Sequence, residues 1–453
     1  MLKRTLWSTL LGLTCLATAS ELTTAPESLK INVGADFRLR FDVQSDEIKS
    51  PTGNHKYGPH PSQYFDLRSR AWITVQDQDS GLEAKLRLAN RSKYYTSDWD
   101  AKNNYTPGNW SFPDEVFLDE AYIRLRKLGV DGLTLTLGRQ NLQLGNGMVV
   151  YDGTNTDSSR STYFDGIVAK YATENNTLHA FAFYDAWRDP IAIPLRWDKE
   201  DFTSGAGRAL RPGDTLTLGL YNTHTFSDTF SLDTYYVYSD VDADSHGRLE
   251  RKLPNDWDSL RLHTFGARLF GNLNDAWSYS AELAHQAGDT DDGSISANMA
   301  DLRLKWKLPV LTDIKPALNL RYTFWSGDKG DGGTYEGWQS LYAERSGIFG
   351  EEASSSGGVP CGSNWTNLHA YHASLDAKPL DKLKLSAGAT YFRADEHADG
   401  ANVGVATFAT IGYDFTKTLS LKTTFSHMFF GDYYSSDRQD GGFWGRIELN
   451  WKI

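Results

Sequence analysis

The 453-residue chain is nearly devoid of cysteine, with only Cys15 and Cys361. So few thiols exclude a disulfide-stapled secreted scaffold. Long hydrophobic runs are also missing. Beyond the first sixteen residues no window approaches about eighteen consecutive apolar residues, which excludes helical membrane spans. Excess positive charge is absent too: 46 Lys and Arg against 58 Asp and Glu leave a net charge of −12. That argues against a general nucleic-acid binder, whose footprint is basic. What the chain does have is aromatic residues, 13% in all with 14 Trp and 23 Tyr, on a background only 40% apolar with mean hydropathy −0.49. Aromatic richness without apolar runs fits a membrane β-barrel, where every second strand residue meets lipid and aromatics ring the interfaces.

The opening "MLKRTLWSTLLGLTCLATAS" has a basic start (Lys3, Arg4), an apolar stretch from Leu6 to Leu16, and small residues at Ala17 and Ala19. This pattern predicts a secretory signal peptide over residues 1–19, too short for an anchor. Cys15 raises a lipoprotein reading, which the preceding Gly12-Leu13-Thr14 disfavours. Cleavage after Ala19 leaves residues 20–453 with Cys361 as the single thiol. Loss of Lys3 and Arg4 moves the net charge from −12 to −14.

The last residues, "GGFWGRIELNWKI", alternate strictly. Phe443, Gly445, Ile447, Leu449, Trp451 and Ile453 share one parity; Trp444, Arg446, Glu448, Asn450 and Lys452 share the other. Period-2 alternation marks a strand with one apolar face. About eighteen such segments follow the leader, each long enough for a tilted membrane span. They fall near 29–44, 63–78, 81–95, 114–128, 131–141, 162–173, 176–188, 213–226 and 229–243. The rest fall near 258–272, 275–288, 297–309, 313–326, 365–378, 381–394, 402–415, 418–430 and 442–453.

The connections are expected to alternate without exception between short turns, such as "DQDSG", "KLGVDG" and "FTKT", and long polar loops, such as the Asp328–Asn364 segment. Outer-membrane barrels sort their loops this way, with short turns in the periplasm. The fold class expected is therefore all-β: one closed antiparallel transmembrane barrel of about eighteen strands over residues 20–453, in the outer membrane. Its apolar face meets outer-membrane lipid, as for Ile31, Val33, Phe37 and Leu39 in the first strand.

The opposite parity then lines the lumen. It carries Arg38, Arg40, Asp36 and Asp42 in the first strand, and Asp66, Arg68 and Arg70 in the second. The third supplies Glu83, Lys85, Arg87, Arg91 and Lys93; the fourth supplies Glu120, Arg124 and Arg126. Arg303, Lys305, Lys307, Arg321 and Arg446 follow further round. Acids concentrate in loops instead, as between Asp240 and Asp258 and in "GDTDD" and "RADEHAD". Rings of arginine attract anions, and guanidinium forks match carboxylates. Six arginines of the first, second and fourth strands (Arg38, Arg40, Arg68, Arg70, Arg124, Arg126) stand against four acids (Asp36, Asp42, Asp66, Glu120), so an anion preference is expected. The same arginines can also serve simply by pairing with inward acids. Trp110, Trp338 and Trp365 fall in or beside outer loops, where a membrane girdle is the expected role and stacking on sugar rings the alternative.

One stretch is more specific: "GRQNLQLGNGMVVYDGTNTDSSRSTYFDGIVAKY" at 138–171. With "DEAYIRL" upstream and "SHMFFGDYY" late in the chain, it resembles the alginate-export family of outer-membrane barrels. The resemblance rests on Gly138-Arg139-Gln140, Gly145 and Gly147, Arg160, and Phe164-Asp165-Gly166, with His427, Gly431 and Asp432 at the top of the penultimate strand. It implies an eighteen-stranded barrel with an electropositive constriction that passes a polyuronate, with Arg139, Arg160 and Asp165 near that constriction. It leaves room for periplasmic export partners. The family's alginate exporter plugs its lumen with an extended periplasmic turn, but here the matching turn is only "FTKT".

The function expected is a channel for an anionic polysaccharide or small anionic solute, with a general anion- or oligosaccharide-uptake porin as the alternative. No cofactor, metal or nucleic-acid partner is implied. A structural or adhesive barrel fits an arginine-lined lumen less well. An outer-membrane hydrolase using Ser426, His427 and Asp432 is disfavoured, because neighbouring strand residues point to opposite faces.

Overall fold

The computed structural model describes residues 27–45, 62–96, 110–111, 115–151, 163–189, 192–194, 211–243, 257–342, 365–397, 400–434 and 441–453. Eighteen long strands build one sheet. They are β1 (Leu29–Gln44), β2 (Ser62–Asp77), β3 (Leu82–Tyr95), β4 (Glu115–Leu125), β5 (Leu133–Gln140) and β6 (Phe164–Ala172). Then come β7 (Asn176–Asp185), β8 (Asp214–Ser227), β9 (Phe230–Asp242), β10 (Ser259–Asn272), β11 (Trp277–Thr290) and β12 (Ser294–Lys307). The last six are β13 (Ala317–Trp325), β14 (Leu368–Leu380), β15 (Leu383–Arg393), β16 (Asn402–Asp414), β17 (Leu419–Phe430) and β18 (Gly442–Lys452). Every period-2 segment read from the sequence coincides with one of these strands. Two short pieces, Trp110–Ser111 beside β3 and Ala192–Pro194 beside β4, add to the sheet at the long-loop end.

The sheet closes because its first and last strands pair antiparallel, from Asp36 opposite Lys452 to Gln44 opposite Trp444. Ala35 and Ile453 exchange backbone hydrogen bonds of 3.0 and 2.8 Å. Closure leaves no sheet edge to be desolvated in hydrocarbon, which is what a membrane barrel requires. Leu39 lies directly opposite Leu449 on the outer face. Spin labels at Leu39→Cys and Leu449→Cys should therefore show the short separation of facing strand residues, about 5–8 Å between Cα atoms before label length. A separation beyond 20 Å, on the order of four strand spacings, would mean the barrel does not close in this register.

The outward parity is strongly apolar and exposed: Leu39, Ile73, Leu86, Ile123, Ile167, Leu218, Leu283, Leu302, Leu320 and Ile447 all face away from the protein. A soluble monomer does not leave so continuous an apolar band in water, whereas a bilayer requires it. Aromatic pairs edge the band. At the short-turn end Trp277 stacks on Trp306 at 4.9 Å and Phe37 meets Trp451 at 5.6 Å. Toward the long loops Phe41 meets Phe65 at 4.9 Å and Tyr322 meets Tyr371 at 5.0 Å.

Three features depart from the sequence reading. The long–short alternation has an exception: β11 and β12 are joined at the long-loop end only by Asp291, Asp292 and Gly293, because both strands extend further than "GDTDDG" suggested. Trp338 and Trp365 belong neither to a girdle nor to an exposed platform. Both are buried, with Trp365 stacked on Trp325 at 5.2 Å. The described part of the Asp328–Asn364 excursion, residues 328–342, folds back and packs against the inner wall, so Trp338 is consumed in packing. Finally, β4 carries a bulge where its register against β3 slips between Arg87 and Leu88, so Asp119 and Glu120 together oppose Arg87. A bulge places an extra residue on one strand and shifts parity beyond it.

Candidate functional site in the barrel lumen

Five adjacent strands, β18 and β1 to β4, form a wall of charge. Antiparallel register fixes which charges meet. Arg40 lies opposite both Asp66 on β2 and Glu448 on β18, and Asp42 lies opposite Arg446. Arg40 donates to Glu448, and Arg446 donates to Asp42 at 2.6 Å. Carboxylates on this wall repeatedly serve two bases. Asp36 takes Arg68 at 3.2 Å and Arg70 at 2.7 Å. Glu83 takes Arg124 at 2.8 Å and Arg126 at 2.6 Å, and also accepts from Tyr122 at 3.0 Å. Glu120 takes Lys85 at 2.5 Å and Arg87 at 2.6 Å. At Asp36 and Glu83 this sharing leaves net positive charge; at Glu120 it does not, because Asp119 also pairs with Arg87.

Across β1, β2 and β3 the register also aligns three bases in one row: Arg38 opposite Arg68, and Arg68 opposite Arg91. Like charges directly opposite are unfavourable in a sheet. The carboxylates that moderate this row sit diagonally: Asp36 beside Arg68, and Asp66 beside Arg91 at 2.5 Å. Arg38 and Arg68 are both buried.

The opposite wall is different. The inward faces of β9 to β13 carry apolar residues such as Val237, Leu260, Leu262, Ile295 and Met299, joined into the main core cluster. Two segments from the long-loop end dock on it. One is residues 141–151, between β5 and β6; the other is the stretch 326–342 after β13. They meet each other in a parallel bridge between Val150 and Tyr342. The first is a tight loop, closed by Gly147 N–H donating to the Leu144 carbonyl at 3.0 Å and Leu144 N–H donating to Val150 at 3.1 Å. Gly145 and Gly147 adopt φ of +56° and +76°, and a Cβ on Gly145 would lie 2.3 Å from the Tyr221 hydroxyl. Glycine is required there by both backbone and space.

From this loop Asn146 reaches Ser280 at 2.9 Å and accepts from Arg268 at 3.2 Å, while the Met148 sulfur lies 3.6 Å from Arg303 and 3.2 Å from Arg321. Those two arginines share one buried carboxylate, Asp301, each at 2.6 Å. In the second segment Gln339 exchanges hydrogen bonds with Gln286 at 2.9 and 3.0 Å, and the Tyr342 hydroxyl meets Thr217. The two segments thus fill the apolar side of the lumen. On the charged wall the more exposed bases are Arg91, Arg124 and Arg126, at 21%, 29% and 42%.

Arg139, at the end of β5 where the loop departs, is the hub of a separate cluster. It makes a two-pronged contact with Asp165 at 2.8 and 2.7 Å, reaches Asp189 at 3.1 Å, and donates to the Leu118 carbonyl at 2.8 Å. Its guanidinium stacks 3.5 Å over the Tyr163 ring. Burial and the neighbouring Asp189 carboxylate push the Tyr163 hydroxyl well above the usual phenol range, keeping it a neutral donor to Asp189. Two acids on one base give this cluster no positive excess, and the Arg139 side chain is 2% exposed. The structure therefore sets Arg139 and Asp165 at the base of the 141–151 loop, with the guanidinium sealed between acids and not presented to the lumen. Arg160 lies outside the described residues, as does Cys361.

Of the lumen residues read from parity, Arg38, Arg40, Arg68, Arg70, Arg87, Arg124, Arg126 and Arg446 lie together on the charged wall, and Arg303 and Arg321 lie on the other. Parity missed Asp119, which the bulge turns inward onto Arg87 at 2.5 Å. Asp189 and Met148 carried no local signal. Ser426 faces inward and is buried, while His427 faces outward against Phe429 at 4.3 Å, so the two form no nucleophile–base pair.

A closed eighteen-strand antiparallel barrel with a lipid-facing apolar band, a charged lumen and loops folded into it is an outer-membrane channel of the porin type. More narrowly, the chain belongs to the alginate-export family, whose model, described as "Alginate export", matches residues 29–414. No curated protein sequence matches it. Among solved structures it resembles Acinetobacter baumannii OccAB1, with a TM-score of 0.58 at 12% identity over 96% of this chain and 99% of that one. Pseudomonas aeruginosa OccK9 (OpdG) gives 0.57 at 12% identity over 94% and 98%. Pseudomonas aeruginosa OpdK, solved with vanillate, gives 0.55 at 13% identity over 93% and 98%. At these identities the likeness is one of fold.

Proposed function

We propose that the barrel passes an anionic polysaccharide of the uronate type, together with smaller anions, along its charged wall. The observation that carries this reading is the sharing of single carboxylates between two bases at Asp36 and Glu83, with the aligned row Arg38–Arg68–Arg91 beside them. In a narrowed lumen these fields add, raising the local concentration of anions and repelling cations. The partly exposed guanidiniums of this wall, Arg91, Arg124 and Arg126, offer paired donors to carboxylates of a chain. The general anion- or oligosaccharide-uptake porin is the competing reading.

Reversal potentials under a salt gradient test the proposal. Arg38→Gln with Arg68→Gln thins the row while Asp36 keeps Arg70, so its carboxylate stays paired. Anion over cation permeability is expected to fall about twofold to tenfold at low salt, and less at high salt because screening shortens the reach of each charge. A wild-type channel without anion preference would refute the reading. Blockade by small anions but not by uronic-acid oligomers would favour the uptake porin.

A further inference from the structure

The lipid-facing surface is grooved on β8 to β13. One cross-strand row there runs Asn222, Thr234, Ala267, Leu283, Ala300 and Phe324, one residue from each strand. Small side chains at Thr234, Ala267 and Ala300 make it a furrow, and Leu283, 63% exposed, divides it in two. The open groove has a volume of about 870 Å³, inside the range of roughly 300–1,000 Å³ typical of ligand sites. One row nearer the long loops, Phe265, His285 and Asn298 share the same outward face. Asn298 Oδ1 accepts from His285 Nδ1 at 3.0 Å, and both side chains are exposed. That hydrogen bond leaves His285 Nε2 as an acceptor and the Asn298 amide as a donor. Polar groups facing hydrocarbon are costly without a polar partner. Two rows further out the Arg261–Asp289 ion pair, at 2.8 Å, marks the headgroup level. The polar pair therefore lies just beneath it, at the depth of acyl-chain carbonyls.

We propose that this groove is a binding site for one outer-leaflet glycolipid. Two acyl chains lie in the furrows on either side of Leu283, and the Asn298 amide donates to an acyl-linkage carbonyl. A sugar hydroxyl donates to His285 Nε2. The occupant follows from continuity with the apolar band, which lipid covers, and from the polar pair standing at the outer end of the groove. A sugar suits the collar above better than a phosphate does. Among the described residues there, Asp240 lies opposite Arg261, Asp289 is paired with it, and Asp291 and Asp292 are exposed. Carboxylates accept from hydroxyls and repel phosphates.

The test is native mass spectrometry of the full barrel in detergent, titrated with lipid A, an acylated glucosamine disaccharide, or with phosphatidylethanolamine. The parent should retain one lipid A, with affinity about tenfold above that for the phospholipid. Ala267→Trp with Ala300→Trp fills both furrows with apolar volume that a lipid-facing surface accepts, and should weaken lipid A binding about tenfold. His285→Leu with Asn298→Leu should remove most of the preference for lipid A while leaving a folded barrel. Ala409→Trp, on the outward face of β16 opposite Phe425, should leave binding unchanged. Heat-modifiable migration on gels confirms that each variant is folded. Equal affinity of the parent for the two lipids, or no retained lipid A, would overturn the site. So would undiminished binding in the folded furrow variant, an undiminished preference in the His285 and Asn298 variant, or an equal loss in Ala409→Trp.

Discussion

Arg139→Ala is expected to destabilise the barrel by about 3–5 kcal/mol, the cost of leaving a buried charge without its partner. The side chain is held by Asp165, Asp189, the Leu118 carbonyl and the Tyr163 ring. Asp189 is fully buried, so alanine removes the arginine counter-charge from a carboxylate in a dry site. Unfolding of the refolded protein in urea, followed by gel mobility, measures the effect. Asp189→Asn introduced beside Arg139→Ala should recover part of the loss, because it removes the stranded charge. Arg68→Gln provides the contrast: Asp36 retains Arg70, and the loss should stay near 1 kcal/mol, the ordinary worth of one hydrogen bond. If Arg139→Ala folds and unfolds like the parent, the cluster does not stabilise the barrel.

The second large effect is on conductance. Replacing residues 145–149 by Gly-Gly removes the tip that reaches Arg268, Ser280, Arg303 and Arg321. Two residues suffice to bridge the ends, because Leu144 N–H already donates to the Val150 carbonyl at 3.1 Å, the pairing that closes a two-residue hairpin. Single-channel conductance should rise several-fold, since the loop occupies lumen cross-section that the barrel wall alone would leave to water. Anion preference should weaken as the path widens beyond the reach of the charged wall. A folded Gly-Gly variant with the parent's conductance would place the narrowest point elsewhere.

Both predictions concern residues whose roles were only partly legible. "GRQ" and the two glycines mark the loop in the sequence, and the family resemblance sets Arg139 beside a constriction. Nothing local distinguishes an arginine that faces the solute from one sealed between two acids. That depends on Asp189, fifty positions away, and on Asp165 across one strand pair. Asp119 shows a different limit. Strict parity assigns it to lipid, and a one-residue bulge turns it onto Arg87. Bulges change side-chain direction without changing the apolar–polar letters that parity is read from.

The sequence by itself determined the strand set, the lipid-facing and lumen-facing parities, and the closure of one barrel. Each follows from a period of two over about ten residues and from the cost of an unpaired edge in hydrocarbon, and both are local or universal constraints. Only the tertiary structure decided which charges neutralise which, that residues 141–151 and 326–342 fill the apolar side of the lumen, and that Trp338 and Trp365 are packing residues. The deciding contacts join residues 134, 155 and 173 positions apart. They form only once the ring has closed and brought opposite walls within side-chain reach, a distance that no repeat along the chain encodes.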